Sequence, residues 1–239
     1  MKVALCISGQ MRTFDKVFPA LKRNLIDVLN PDIFISTWSK VGKTHKTNAA
    51  STPEWLDLSP DALSKLTNAK IVDIEEFKDE FYDSFKNVHR PIYLKNNEPI
   101  HSRSMIPHFY KIHRCNELRK AYSMEMGIEY DCVIRLRPDL LLGQSVESLF
   151  KEVQLESNVY ISLCGIDPTF QISDKFAIMN SEMFDYYCSI WEKLEFYWSS
   201  PSGKNPPKTN RVGERLMFEH FHPQRYDLKY FNLRSKIIR

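Results

Sequence analysis

Two arginines and an aspartate, Arg135, Arg137 and Asp139, stand in the otherwise apolar stretch YDCVIRLRPDLLL at residues 130–142. Alternation along an extended chain puts these three on one side, with Ile134, Leu136 and Leu140 on the other. Burying two guanidiniums and a carboxylate at a strand end is unfavourable unless they pair or meet a ligand. The ligand that suits them is a phosphate group, gripped by the arginines, with Asp139 holding a divalent cation (Mn²⁺ or Mg²⁺) that bridges to it. The alternative is an internal brace, in which Asp139 neutralises an arginine and no chemistry follows.

A second candidate follows the apolar KVALCIS. The turn SGQMR offers the hydroxyl of Ser8, the backbone of Gly9 and Gln10 at a helix N-terminus, and the fork-shaped cation of Arg12. Such a turn attracts an anion. It is neither a GxGxxG fingerprint nor a Walker loop. Thr37, in DIFISTW, marks a third strand end. Lys111 belongs to a long helix and is read either as reaching the phosphates or as solvated. Glu214 opens the last helix and is either a capping charge on the helix dipole or a group on the acceptor side of a cleft.

Elements that would position these groups are legible in the pattern. KVALCIS is a strand. FDKVFPALKRNLIDVL has helical spacing through Phe14, Val17, Phe18, Leu21, Leu25 and Val28, and DIFISTW is a second strand. That βαβ unit signals a parallel sheet. SPDALSKL is a short helix capped by Ser59 with Pro60 at its first position, and KIVDIEEF a third short strand. Residues 78–103 have no period and contain Pro91 and Pro99, which reads as a long loop or lid. A helix from Ser104 to about Met126, with Phe109, Ile112, Cys115, Leu118 and Tyr122 inward, stops at Gly127. The 130–142 strand follows, then strands NVYISL and KFAIMN and the helix SEMFDYYCSIWEKLEFYW. The linker-like SSPSGKNPPKTN (199–210), the helix VGERLMFEHF and YDLKYFNL, a final strand or extended tail, follow. The fold class is α/β, parallel in the first half and mixed in the second. In open α/β sheets ligands bind outside the carboxyl ends of strands, where SGQMR, STW and RLRPD come together.

Composition narrows the function classes. The 239 residues are 43% hydrophobic, 26% charged and 13% aromatic, which suits a globular core. A net charge of +3 with scattered basic residues does not suit a nucleic-acid partner. No stretch has membrane-spanning length, the N-terminus does not read as a signal peptide, and the expected location is the cytoplasm. The five cysteines, with no CxxC pair, read as reduced small hydrophobes. His220 and His222 point apart on a helix, and His108 and His113 do not share a face, so no histidine metal pair is expected. Without GxSxG, covalent hydrolase chemistry has no support.

The small turn after the first strand, the helix preceding YD-V-IR-RPD, and the downstream DKFAI-NSEMF resemble bacterial and viral nucleotide-sugar glycosyltransferases of the GT-A type. The resemblance implies a single domain over 1–239, with a donor half (1–142) and an acceptor half (143–239). It implies a nucleotide over Ser8, Gly9, Gln10 and Arg12, and a diphosphate against Arg135, Arg137 and Asp139. Asp139 stands where the last acid of the family's DxD motif stands, whereas Arg137 occupies the place of the paired acid. The arginines would then balance the diphosphate, leaving Asp139 for sugar hydroxyls or a cation. Asp174, in QISDKFAI, is placed as general base or acceptor anchor, against an ordinary turn residue.

The activity implied is sugar transfer from a nucleoside diphosphate to a glycan or lipid-linked acceptor, with peripheral membrane contact allowed. The mobile stretches 78–103 and 200–212 would close over the site. Two rivals are a non-catalytic binder of nucleotide or glycan and a sulfotransferase-like enzyme. Asp139→Ala and Arg137→Ala are each expected to abolish transfer and keep the melting temperature within a few degrees.

Overall fold

A computed structural model describes residues 1–39, 58–76, 92–93, 99–100, 105–156, 158–163, 172–199, 212–222 and 226–238. The strands are β1 (Val3–Ser8), β2 (Asp32–Trp38), β3 (Ile71–Glu75), β4 (Ile92–Tyr93), β5 (Pro99–Ile100), β6 (Cys132–Leu136), β7 (Leu140–Leu142), β8 (Asn158–Ser162), β9 (Phe176–Met179), β10 (Asp227–Phe231) and β11 (Ser235–Ile237). The helices are α1 (Phe14–Leu21), α2 (Asp27–Leu29), α3 (Pro60–Thr67), α4 (Met105–Met126), α5 (Glu147–Phe150), α6 (Ser181–Cys188), α7 (Leu194–Ser199) and α8 (Val212–Phe221).

Seven strands form the central sheet in the order β10-β8-β9-β6-β1-β2-β3. All run parallel except β9, which is antiparallel to both neighbours. The chain moves outward from β1 through β2 to β3, and α4 then carries it back to β6 on the other side of β1. Right-handed crossovers that leave β1 in opposite directions put their helices on opposite faces. Val3, Leu5 and Ile7 accordingly pack with α1, while Ala4 and Cys6 pack with α4. The order of strands reverses between β1 and β6, and the crevice beyond those two strand ends is the topological switch point.

The first helix is not continuous. A π-helical stretch, Lys22–Ile26, interrupts it, and Asn24 turns inward to donate from Nδ2 to Leu142 O at 2.7 Å. Asn30, in the left-handed region at φ 45°, ends the element. Along α4 the buried stripe includes Asn116 and Arg119; Tyr122, expected inward, is half-buried and packs edge-on against Phe34 at 5.6 Å, while Leu118 is only half-buried. Arg119 is buried because Asp185 (2.6 Å), Ser181 and Asn116 satisfy its guanidinium, a compensation that hydrophobic periodicity does not register.

Residues 130–142 are not one strand. β6 ends at Leu136, Pro138 cannot donate a ladder bond, and β7 leaves the main sheet to pair antiparallel with β11. The C-terminal strand thereby fastens the two turns of interest. Ile238 N donates to Asp139 O at 3.0 Å, and Thr13 Oγ1 donates to Ile238 O at 2.8 Å. The 78–103 loop lies outside the described residues apart from β4 and β5, which pair antiparallel. So does the 200–212 linker, apart from Val212 at the start of α8. Among the described residues no helix is long and apolar enough to cross a membrane, and the described cysteines Cys6, Cys115, Cys132 and Cys188 are free and buried.

Candidate functional site at the switch point

The turns after β1 and β6 touch. Gly9 has φ +126°, and a Cβ there would meet Pro138 Cδ at 3.3 Å. Its N–H donates to Ser36 O at 3.1 Å, so the turn is held from β2 as well. Only glycine takes this conformation without strain. Gly9→Ala is therefore expected to cost about 2 kcal/mol, or about 4–8 °C in melting temperature, and to displace Arg12. Calorimetric melting checks this; an unchanged transition would show that the turn relaxes freely.

Beside this contact lies a three-membered charge cluster. Arg137 grips Asp139 with both ends of its fork, Nε to Oδ1 at 2.5 Å and Nη2 to Oδ2 at 3.1 Å. Arg12 approaches from the β1 turn, with Nη1 3.9 Å from Asp139 Oδ2, and its Nε donates to Gln10 Oε1 at 2.8 Å. The Asp139 side chain is 2% exposed, against 20% for Arg137 and 12% for Arg12. The acid is thus sealed, and the two arginine side chains carry the exposure that the cluster keeps. Arg137 stays charged: burial alone would favour the neutral form, but Asp139, with Asp174 and Glu214 further off, pushes its pKa up.

Two expectations are revised by this geometry. Arg135 is fully buried and cannot line a diphosphate site; it donates to Leu136 O and, at 3.0 Å, to Ser8 O, tying the two strand ends together. A divalent cation at Asp139 does not fit the residues present, because guanidiniums already engage both carboxylate oxygens. Among the described residues no group of three or more His, Cys, Asp or Glu is placed to hold a metal.

A second polar group adjoins the first. Arg137 N donates to Lys175 O at 2.9 Å, continuing the β6–β9 register beyond Leu136 and Phe176, and this brings Asp174 beside Arg137. His108, from the first turn of α4, has Nε2 2.9 Å from Asp174 Oδ2. Lys175 Nζ lies 3.0 Å from Glu214 Oε1, and Ile172 N donates to Glu214 O at 3.0 Å, fixing α8 against the strand entrance. Burial would raise the Asp174 pKa, but His108, Arg137 and Lys175 together hold it far below the usual carboxylate range. Glu214 moves the other way, pushed up by burial and by Asp174 against the pull of Lys175.

Lys111 is neither solvated nor directed to the charge cluster. It is fully buried, paired with Asp73 at 3.2 Å and with Glu75, and its ammonium lies 4.3 Å from the centre of the Trp38 ring. Thr37 is buried, with Oγ1 directed at Trp38 O. Ser8 is also buried, and its Oγ has no hydrogen-bond partner. His220 is a buried structural residue, 2.9 Å from Tyr197 Oη and 2.7 Å from Tyr186 O.

Of the residues singled out in the sequence, Gly9, Gln10, Arg12, Arg137 and Asp139 come together at the switch point, and Asp174 and Glu214 adjoin them. Arg135 and Ser8 lie beneath as support, while Thr37 and Lys111 lie toward β2 and β3. His108 and Lys175 were missed. Lys175 sits next to Asp174 and is legible once Asp174 is chosen; His108 carries no local signal, because its partner comes from a distant part of the chain.

No family model matches the chain, and no curated protein matches it in sequence. Solved structures do resemble it in overall course. The galactosyltransferase LgtC, solved with donor and acceptor sugar analogs, superposes with a TM-score of 0.45 at 9% identity over 97% of this chain and 73% of that one. Apo glycosyltransferase GlyE of Streptococcus pneumoniae TIGR4 gives 0.46 at 10% identity over 95% of this chain and 44% of that one. A glycosyltransferase involved in glycosylation of the major capsid of PBCV-1 gives 0.45 at 7% identity over 97% and 82%. At these scores and identities, a reading of function rests on the residues of the crevice themselves.

Proposed function

We propose that the chain is a glycosyltransferase that moves a sugar from a nucleoside diphosphate donor to a hydroxyl on a glycan or lipid-linked acceptor. The observation that carries this reading is the pair of guanidiniums, Arg12 and Arg137, brought from two turns to one point outside the β1 and β6 ends and held by the sealed Asp139. Two fixed forks in a partly desolvated crevice suit a pyrophosphate, whose charge grows as the bond to the sugar breaks. The SGQ turn would bear the nucleotide, and the Asp174–Glu214 side the acceptor. The arginines supply the charge neutralisation that a cation would otherwise provide.

A panel of sugar nucleotides, assayed for release of UDP, GDP or CMP with and without excess chelator, tests this. Release from one donor, unchanged by chelator, is expected. Donors that raise the melting temperature without any release would make the chain a binder. Protection by adenosine phosphosulfate alone would move the reading to sulfuryl transfer.

A further inference from the structure

The His108–Asp174 contact has a chemical consequence beyond holding α4 to the sheet. Asp174 is buried, and its Oδ1 has no hydrogen-bond partner. Its Oδ2 faces His108 Nε2 at 2.9 Å, within ion-pair distance but not aligned as a full hydrogen bond. Catalytic contacts are commonly loose in the free enzyme and tighten around substrate. The His108 side chain is 12% exposed, and its ring packs edge-on against Phe109 at 5.4 Å. The charged groups acting on it are Asp174 from the β9 entrance and Arg135 and Arg137 from the β6 end; Lys175 and the Glu214 of α8 stand beyond Asp174. The backbone at Gly213 closes the other side, since a Cβ there would lie 3.5 Å from Asp174 Oδ2 and 3.0 Å from Met105 Sδ.

A carboxylate oxygen 2.9 Å away repels a lone pair on Nε2, so a neutral ring is favoured with its proton on Nε2 and its lone pair on Nδ1. Asp174 itself is too strongly held in its ionised form to take a proton near neutrality. Burial and the two arginines favour the uncharged ring, against the pull of Asp174. Of the two partners in this contact, the imidazole is therefore the proton acceptor.

We propose that His108 takes the acceptor's proton and that Asp174 is a positioning residue that fixes the ring's tautomer, an inference that rests on the transferase reading. In the step, the acceptor O–H breaks and its proton passes to Nδ1. The freed oxygen pair forms the bond to the anomeric carbon, and the carbon–diphosphate bond breaks with its electron pair leaving on the diphosphate beside Arg12 and Arg137. This is a single displacement, with inversion at that carbon.

The test joins two measurements on the whole chain. In ¹⁵N-histidine spectra, with the His108 signals identified by their loss in His108→Gln, the ring is expected to be neutral and protonated on Nε2 at pH 7. A ring protonated on Nδ1, or charged, would overturn the proposal without touching the transferase reading. In transfer kinetics, His108→Gln is expected to lower kcat about 10²–10³-fold with the donor KM within about twofold. The fall of activity at acid pH should vanish with it, and added imidazole should restore part of the rate in His108→Ala. A His108→Gln enzyme that keeps a tenth or more of the wild-type kcat would overturn the proposal. Wild-type protein that releases no nucleotide from any donor would instead remove the transferase reading, and the inference with it.

Discussion

Arg137→Met is expected to lower transfer about 10²–10³-fold, the loss seen when a preorganised charge at a developing anion is removed. Arg137 links the charge cluster to the polar group beside it. It holds Asp139 by two bonds, its backbone bonds Lys175 O, and Asp174 stands near enough to help keep it charged. Removing it also leaves the Asp139 carboxylate buried with Arg12 at 3.9 Å, so lost activity alone does not distinguish a lost charge from a lost fold. Arg137→Lys separates the two. A lysine restores the charge opposite Asp139, and with it most of the melting temperature, but cannot form the fork. Lysine at this position is expected to melt within a few degrees of wild type and still transfer about tenfold more slowly. Full activity in Arg137→Lys would mean that no bidentate grip on the donor operates.

Asp139→Ala is expected to act first on stability. The carboxylate is sealed, and breaking a buried pair by removing one partner costs about 3–5 kcal/mol. The arginine side chains it releases are partly exposed, at 20% and 12%, which reduces the loss to about 2–3 kcal/mol. For a chain of this length that lowers the melting temperature by about 5–10 °C. From sequence alone Asp139 reads as part of an open ligand site, which implies a shift of only a few degrees. Transfer should fall as well, since Arg12 and Arg137 lose the group that sets their spacing. A variant that melts as wild type would show that Asp139 does not brace the arginines. The same linkage predicts a pH dependence: Asp174, whose folded pKa is depressed, contributes stability above about pH 4 that is lost progressively at lower pH.

Strand and helix order was legible because each element carries its own period: KVALCIS, DIFISTW and KFAIMN could hardly be anything but buried strands. The convergence of SGQMR with RLRPD was legible for a topological reason, since a βαβ start followed by a long helix and another apolar strand places both turns at carboxyl ends. What escaped was set by side-chain partners far apart in sequence. Arg135 and Arg137 look alike on paper, yet one points into the α4 core and ties backbone carbonyls, while the other lies past the strand end and reaches solvent. Lys111 reads from sequence as either a phosphate-reaching or a solvated lysine because its neutralising acids, Asp73 and Glu75, lie on β3. Pro138 was visible from the start, and its missing N–H is the reason β6 stops where the site begins.

Binding of a nucleoside diphosphate without added metal tests the arginine berth most directly. Calorimetric titration of UDP and GDP, in chelator, into wild type and Arg137→Lys is the measurement. The expected result is saturable binding of one diphosphate to wild type, weakened about tenfold by the lysine and much more by Arg137→Met. Binding that appears only on adding Mn²⁺ or Mg²⁺, or that is indifferent to Arg137, would contradict it.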